Sequence, residues 1–160
     1  MANLETLGWD PATVGELDHR LLAAPTVKLR SATTGPGGDV VYCIDLRLRR
    51  PNSGECLPMD TLHSLEHFLL EGFRRLLPEN FISVGVMGCQ TGFYLILLNE
   101  GRAPLICDVL ATLLGDLAQA QEVPYARVDQ CGNHRNHDLA GAQRIARDMI
   151  EKKSSWLNVI

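Results

Sequence analysis

The sequence predicts an α+β fold: an antiparallel sheet of about four strands with helices packed on one face, forming a single-domain layer sandwich. Three observations support this prediction. Four short segments have the character of strands, and three longer segments carry apolar residues at helical spacing. The length of 160 residues suits one domain. We therefore expect a single domain over residues 1–160, with residues 1–13 as a peripheral N-terminal arm.

Strands are expected where apolar residues alternate with polar ones or form short runs between turns. The predicted strands span residues 25–32, 39–49, 81–87 and 93–98. In the second of these, Ile44 and Leu46 alternate with Asp45 and Arg47. A period of two with one polar side predicts an antiparallel strand that covers a core on one side only.

Helices are expected where apolar residues recur every three or four positions. The predicted helices run from Asp60 to Leu76, from Pro104 to Gln121 and from about His137 to Lys152. The apolar stripe of the first helix consists of Leu62, Leu65, Leu69, Phe73 and Leu76. Asp60 or Thr61 is expected to cap its start, and Pro78 lies beyond its end. The stretch between the second and third helices is predicted to be irregular.

The charge balance argues against polyanionic partners. Fifteen Lys and Arg residues stand against nineteen Asp and Glu, which gives a formal charge of -4. That balance provides no electrostatic footprint for nucleic acid or for an anionic membrane surface. The longest uncharged apolar stretches, residues 81–89 and 92–98, are far shorter than the roughly 18 residues that span a bilayer. We expect no nucleic acid partner and no membrane partner.

The five cysteines are an odd number and show no spacing typical of a disulfide framework. The N-terminal segment carries Glu5 and Asp10 rather than a basic region followed by an apolar run, so no secretion signal is predicted. We expect a reduced, cytoplasmic protein. In that compartment, isolated cysteines beside histidines are more often ligands or nucleophiles than members of disulfide bridges.

The most informative motif is His63-Ser64-Leu65-Glu66-His67 on the first predicted helix. Residues four apart lie on the same face of a helix, so the imidazoles of His63 and His67 can converge on one metal ion. Glu66 borders the apolar stripe, where water is scarce, and this position suits a general acid or base. Two surface histidines beside a glutamate would show the same spacing. The pattern also occurs in inverted zincin peptidases, so the motif alone does not fix the reaction.

A catalytic metal ion takes three protein ligands and keeps one position open. The candidates for the third ligand are Cys131, His134 and His137. A thiolate with two imidazoles favours a divalent ion such as iron or zinc. The alternatives are a buried apolar cysteine at 131, a solvated loop histidine at 134 and a histidine at a helix start at 137.

Cys89 lies in a glycine-flanked turn between the two last predicted strands. Successive backbone N–H groups in such a turn can stabilise an anion, and a nearby dication lowers the pKa of a thiol. Cys89 is therefore a candidate thiolate. The alternative is a structural role, in which Cys89 is a small residue that fits a tight turn.

Five segments together resemble the S-ribosylhomocysteine lyase (LuxS) family. They are Glu16–His19, Asp45–Arg47 followed by Pro51-Asn52, Asp60–His67, Met87–Gly92, and Cys131-Gly132 with His137–Leu139. These segments stand in the order found in that family and spread over residues 14–150. The family cleaves S-ribosylhomocysteine to L-homocysteine and 4,5-dihydroxy-2,3-pentanedione, the precursor of the autoinducer-2 signal.

The resemblance implies a role for each matching residue. The metal ligands would be His63, His67 and Cys131, the general acid/base pair Glu66 and Cys89, and the substrate contacts His19 and Arg47. It further implies a homodimer with active sites at the subunit interface. Each chain would hold one divalent metal ion, Fe(II) in the native enzymes, with Zn or Co as alternatives.

The chemistry fits these residues. A thioether leaves only when a carbonyl stands beside the neighbouring carbon, so the carbonyl must migrate along the opened sugar by proton shifts. Two proton carriers and a Lewis acid serve that migration, and Cys89 and Glu66 can divide the proton transfers. A peptidase has no need of Cys89.

Four residues, in three places, depart from the family pattern. Val14 stands where the family usually has Ser, Gly85-Val86 where it has Ser-Pro, and Ser83 where it has an acidic residue. All three fall on the substrate side. The alternatives are therefore a divergent member acting on another sugar thioether, a non-catalytic dimeric metal-binding protein, and an inverted-zincin peptidase.

Overall fold

The structure, a computed structural model, describes residues 3–160. Within that range the strands are β1 (Thr26–Thr34), β2 (Val40–Arg47), β3 (Phe81–Val86) and β4 (Gly92–Leu98). The α-helices are α1 (Met59–Leu76), α2 (Ala103–Gln119) and α3 (Leu139–Glu151), with short 3₁₀ helices at Pro11–Thr13 and Lys153–Ser155. The predicted α+β class, with an antiparallel sheet of four strands and three helices, is confirmed.

The sheet has the strand order β1-β2-β4-β3, and each neighbouring pair is antiparallel. Ile44 at the centre of β2 pairs with Leu29 of β1 on one side and Leu95 of β4 on the other. All three side chains are fully buried in the single hydrophobic core. This row marks the sheet face that the helices cover.

The apolar stripe of α1 packs on that face. Leu62, Leu65, Leu69 and Phe73 are buried in the core, as the spacing predicts. Gly72 lies on the same helix at a close approach of α2. A Cβ atom built on Gly72 would lie 2.6 Å from the Cβ atom of Leu113 in α2. The missing side chain at this position therefore sets the distance between the two helices.

The polar side of β2 faces away from the helices, but two of its charged groups are buried. Asp45 and Arg47 are 3% and 2% exposed, and Lys28, which pairs with Asp45 across β1 and β2, is 5% exposed. The ammonium group of Lys28 donates a hydrogen bond to the carbonyl of Gly15. The Gly15 N–H donates to the Leu29 carbonyl at 3.2 Å, so the chain before β1 is fixed against the sheet.

The helix starts differ from the predicted ones. The N-cap of α1 is Pro58 and has no side-chain capping bond, so the prediction of Asp60 or Thr61 as the cap was wrong. The Thr61 hydroxyl instead donates to Asp138, which caps α3 by accepting from the Gly141 N–H. Helix α3 therefore begins at Leu139, and His137 lies in the loop before it.

The N-terminal segment contributes to the core through Trp9, whose indole N–H donates to the Gly101 carbonyl at 2.7 Å. Residues 1 and 2 of the predicted arm lie outside the described part of the chain. Among the described residues, no helix has the length and apolar character needed to cross a membrane.

Gly72 and Gly115 test this helix packing as a matched pair. We expect Gly72→Ala to lower the free energy of unfolding by about 1–3 kcal/mol, because the added methyl group overpacks against Leu113. Gly115 lies inside α2, and a Cβ atom there meets nothing within 4 Å. Gly115→Ala should therefore raise the free energy of unfolding by about 0.4–1 kcal/mol. Urea unfolding of the two variants measures both changes, and equal effects would contradict the packing role of Gly72.

Candidate metal centre

His63 and His67 lie one turn apart on α1, with ring centroids 4.7 Å apart. The Nδ1 atom of His63 is 2.8 Å from the Asn136 carbonyl oxygen, and that of His67 is 2.7 Å from the Pro124 carbonyl oxygen. A carbonyl oxygen only accepts, so both Nδ1 atoms carry the proton. Both Nε2 atoms are thereby left with a lone pair for a metal ion.

Cys131 reaches the same place from the long loop between α2 and α3. Its Sγ atom lies 3.4 Å from the Nε2 atom of His63, and the side chain is partly buried. The N–H of Cys131 donates to the Arg127 carbonyl at 2.9 Å, which turns the loop towards α1.

His137 is the fourth side chain at this cluster. Its ring stacks on that of His63 with centroids 4.0 Å apart, and its Nε2 atom lies 3.8 Å from the Cys131 sulfur. Burial, reinforced by the neighbouring histidines, lowers the pKa of His137 to about 4. The ring is therefore neutral at pH 7 in this arrangement.

Ser64 fixes the orientation of His137. The buried Ser64 hydroxyl donates to the Asp60 carbonyl and accepts from the Asp138 N–H, both at 2.8 Å. The remaining lone pair of Ser64 faces the Nδ1 atom of His137 at 3.2 Å, so that nitrogen is the donor. The Nε2 lone pair of His137 thus also faces the cluster.

The donor set fits a divalent metal ion. One donor atom from each of His63, His67, Cys131 and His137 lies within 4.8 Å of all the others. Imidazole nitrogens and a thiolate suit zinc and ferrous iron. Of the three candidates for the third ligand, the structure brings Cys131 and His137 to the cluster. His134 is not part of it.

Glu66 lies on α1 in the turn that carries both histidines, directly before His67, and is partly buried. Within residues 3–160 its carboxylate has no side-chain hydrogen bond and no ion pair, unlike Glu71 five residues later, which pairs with Arg75 at 2.7 Å. A carboxylate free of such partners beside a metal cluster can accept or donate a proton without first breaking a bond.

Cys89 forms a second cluster, at the turn between β3 and β4. Its Sγ atom is 3.0 Å from the Thr91 hydroxyl oxygen and 3.9 Å from the Nη1 atom of Arg47. Burial raises the pKa of the Cys89 thiol, but the hydrogen bonds of Thr91 and the charge of Arg47 outweigh it, so the pKa lies below its ordinary value. Cys89 thus has the environment of a reactive thiolate.

The two clusters open into different cavities. Cys89, Thr91 and His19 line a cavity of about 390 Å³, which the loop Arg50–Cys56 also borders. His137 lines another of about 550 Å³ with residues of the α2–α3 loop. The two cavities share no lining residue. Arg47 lines neither and lies behind Thr91, to which its Nη1 atom donates at 2.6 Å.

Ser64, Asp138 and Thr91 have structural roles at the clusters that the sequence did not predict. Ser64 stands inside the histidine motif, and a serine in a helix interior whose neighbours form a site is a signal for such a role. Thr91 stands two residues after Cys89 in a tight turn. The carbonyls of Pro124 and Asn136 left no signal, because any residue type provides a carbonyl.

Comparison with known proteins assigns the chain to a family. Residues 14–160 match the family described as S-Ribosylhomocysteinase (LuxS). The chain belongs to the LuxS family. It is 41% identical over 143 residues to a Halobacillus halophilus protein named S-ribosylhomocysteine lyase, covering 89% of this chain and 93% of that one. Proteins of the same name from Oceanobacillus iheyensis and Dichelobacter nodosus are each 42% identical over 89% of this chain and 92% of their own length.

Ser64 tests whether the hydrogen bonds around this LuxS-type centre govern metal binding. We expect Ser64→Ala to weaken metal binding about 10–100-fold, because His137 and the loop before α3 lose their common anchor. Thr112→Ala is the matched control, since its hydroxyl donates to a carbonyl four residues back, as Ser64 does, but lies on the exposed surface of α2. Competition with a chelator measures both affinities. Equal affinities in the two variants would refute this role of Ser64.

Proposed function

We propose that the protein is a metal-dependent carbon–sulfur lyase that cleaves S-ribosylhomocysteine to L-homocysteine and 4,5-dihydroxy-2,3-pentanedione, the autoinducer-2 precursor. Membership of the LuxS family and the name of its relatives support this activity. The observation that carries the proposal is the combination of a metal cluster with a separate thiol, Cys89, whose pKa is lowered. A metal-dependent peptidase needs only the first of these.

The metal ligands in this proposal are His63, His67 and Cys131, with one ion per chain. A lyase needs an open position on its metal ion, so we assign His137 to a place beside that position rather than to a fourth bond. We propose Fe(II) as the ion, with Zn or Co as alternatives that the same donors accept. When bound, the ion supplies Lewis-acid stabilisation of negative charge on the sugar oxygen.

Glu66 and Cys89 divide the proton transfers. The Cys89 thiolate takes a proton from one sugar carbon and returns it to the next, which moves the carbonyl along the chain by one position. Glu66 moves protons between the sugar oxygens at the opposite side. A second shift of the same kind brings the carbonyl to the third sugar carbon. In the last step one of these two residues takes a proton from the fourth carbon, the bond between the fifth carbon and sulfur breaks with its electron pair leaving on the homocysteine sulfur, and a double bond forms between the fourth and fifth carbons. The resulting enol takes up a proton at the fifth carbon and becomes the diketone.

Two further residues are proposed to contact the substrate. His19 lines the cavity that contains Cys89. Arg47 is proposed because it matches the family's substrate-contacting position; its guanidinium group lies behind Thr91, 3.9 Å from the Cys89 sulfur.

A second candidate is a lyase acting on another sugar thioether, and the surroundings of Val14 favour it. Val14 packs against the hydrophobic core, and the hydroxyl of its neighbour Thr13 donates to the Asp10 carbonyl at 3.0 Å. No hydroxyl therefore replaces that of the family's serine. A Val14→Ser variant with higher kcat/KM for S-ribosylhomocysteine than the natural chain would favour this candidate.

We propose a homodimer with its active sites at the interface. The sheet face away from the helices carries apolar side chains that are exposed or only half-buried: Val41, Cys43, Tyr94, Ile96 and Leu98. An uncovered apolar sheet face of this kind suits contact with a second copy. Since the cavities at Cys89 and His137 share no residue within one chain, we propose that Cys89 of one copy meets the metal cluster of the other.

The cellular setting follows from the same reaction. We propose a cytoplasmic enzyme of methionine metabolism that supplies the quorum-sensing signal precursor. All five cysteines are free, which fits a reducing compartment. The net charge of -4 fits a small-molecule enzyme without nucleic acid or membrane partners.

Glu66→Gln tests the reaction. Anaerobically purified, iron-loaded protein is expected to release thiol from S-ribosylhomocysteine, and Glu66→Gln to lose this activity at least 100-fold because the amide carries no transferable proton. Glu71→Gln on the same helix is the matched control and should retain activity. The release is followed with a thiol reagent, and metal content is measured in parallel.

Absence of turnover in the natural chain with one ion bound would overturn the proposed substrate. The remaining hypotheses would then be a lyase that acts on another sugar thioether and a non-catalytic metal-binding dimer. Peptidase activity that persists in Cys89→Ala would favour the inverted zincin.

A mixture of two inactive variants tests the shared active site. We expect Cys89→Ala and Glu66→Gln proteins, each inactive, to regain roughly a quarter of the natural activity after subunits exchange at equal concentrations. Half of the dimers then combine both variants, and one of their two sites has both residues intact. A thiol-release assay before and after exchange measures this. If both residues come from the same chain, mixing restores nothing.

A further inference from the structure

We propose that Thr91 is a positioning residue for Cys89. Its hydroxyl group, oriented by Arg47, donates a hydrogen bond to the sulfur of Cys89 and stabilises that sulfur as a thiolate, which is the form that accepts a proton. The role of Cys89 in the reaction rests on the proposed function. The hydrogen bond itself does not, and it is testable without substrate.

The direction of the hydrogen bonds follows from what each group is able to donate. The guanidinium group of Arg47 carries only donors, so the Nη1 atom donates to the Thr91 oxygen across 2.6 Å. The single hydrogen of the Thr91 hydroxyl is left for another acceptor. The sulfur of Cys89, 3.0 Å from the Thr91 oxygen, lies within reach of it.

The contact is stronger with a thiolate than with a thiol. A cation that donates to a hydroxyl oxygen makes that hydroxyl a better donor and a poorer acceptor. A thiolate accepts such a hydrogen bond, whereas a neutral thiol is a weak acceptor. Thr91 is 6% exposed, so little water competes for its hydroxyl. The backbone N–H of Thr91 also contributes to the lowered pKa of the Cys89 thiol.

Arg47 is held in turn by Asp45. The two side chains form an ion pair at 2.6 Å with only 3% and 4% of their surfaces exposed. A buried pair of this kind has a fixed geometry, because separating the charges in a dry site is costly. Asp45 therefore turns the guanidinium group so that its other nitrogen meets Thr91.

The backbone of Thr91 is fixed as well. Its carbonyl accepts from the N–H groups of Leu48 and Arg49 at 2.8 and 3.0 Å. These bonds join the turn to the end of β2, the strand that carries Arg47. The donor, the hydroxyl and the sulfur are therefore attached to one rigid unit, so that a change at the Thr91 side chain leaves the backbone of the turn in place.

Other charged groups also face Cys89. His19, Arg50 and Glu55 line the cavity that its side chain enters, and Arg47 lies behind it with Asp45. None of these groups changes when only the Thr91 side chain is altered. A comparison of variants at position 91 therefore isolates the hydroxyl.

The test compares Thr91→Val, which removes the hydroxyl at nearly constant volume, with Thr91→Ser, which retains it. The metal-loaded protein is alkylated with iodoacetamide between pH 5 and 10, and the modification of Cys89 is measured by peptide mass spectrometry, which separates it from the exposed Cys56. We expect the midpoint for Cys89 to rise in Thr91→Val, so that alkylation at a pH below both midpoints becomes several-fold slower because less of the sulfur is thiolate. Thr91→Ser should titrate like the natural chain.

Equal pH midpoints of Cys89 alkylation in Thr91→Val and the natural chain would overturn the proposal. A midpoint in Thr91→Ser that rises as much as in Thr91→Val would overturn it as well. Circular dichroism and metal content report whether each variant folds. If Thr91→Val does not fold, Thr91→Ala removes the same hydroxyl with a smaller side chain and carries the same expectation.

Turnover separates this proposal from the proposed function. The low-pH limb of the kcat/KM profile should move upward in Thr91→Val but not in Thr91→Ser. A natural chain that releases no thiol from S-ribosylhomocysteine, but whose Cys89 titration shifts as expected, would overturn the substrate and leave the role of Thr91 standing.

Discussion

The hydrogen bonds between α1 and the loop before α3 are the constraint on which the metal centre depends. Two histidines at helical spacing have no fixed tautomer of their own. The carbonyls of Pro124 and Asn136 fix it, because each accepts a hydrogen bond from an Nδ1–H group and leaves Nε2 facing the other donors. Ser64 completes the arrangement from inside the helix by joining Asp60 to Asp138. The loop that carries Cys131 is thereby held at the distance that one ion bridges.

The two sides of β2 have different tasks. One side supplies core residues such as Ile44, and α1 packs over it with the histidines near its first turns. The other side of β2 carries Asp45 and Arg47, which reach the turn that holds Cys89. Alternation along one strand thus joins the hydrophobic core to the residues that surround the thiol.

The features of the fold and the site that could be predicted from the sequence are those encoded by neighbouring residues. The apolar stripe of α1 and the spacing of His63 and His67 both reflect the periodicity of a helix, which is a local signal, and α1 is present in the structure. The choice among Cys131, His134 and His137 depends on how an irregular loop folds back over more than sixty residues, and no local pattern encodes that. The alternation in β2 predicted the side on which Asp45 lies, but not its burial, because the ion pair with Arg47 two residues later depends on the side-chain geometry. The cap of α1 was missed because Thr61 bonds to α3 instead.

The buried pair of Asp45 and Arg47 contributes little net free energy to the stability of the sheet, because both charges must be removed from water. Apolar residues of similar volume stabilise a protein as well or better, and one oxygen of Asp45 and the Nε atom of Arg47 lack partners among the described residues. A stability role alone does not account for this pair. A role in orienting Thr91 and Cys89 does, because a charge removed from water acts strongly over the 3.9 Å between Arg47 and the sulfur. The free energy lost by burying Asp45 and Arg47 is then explained by their effect on Cys89, which they help to hold as a thiolate.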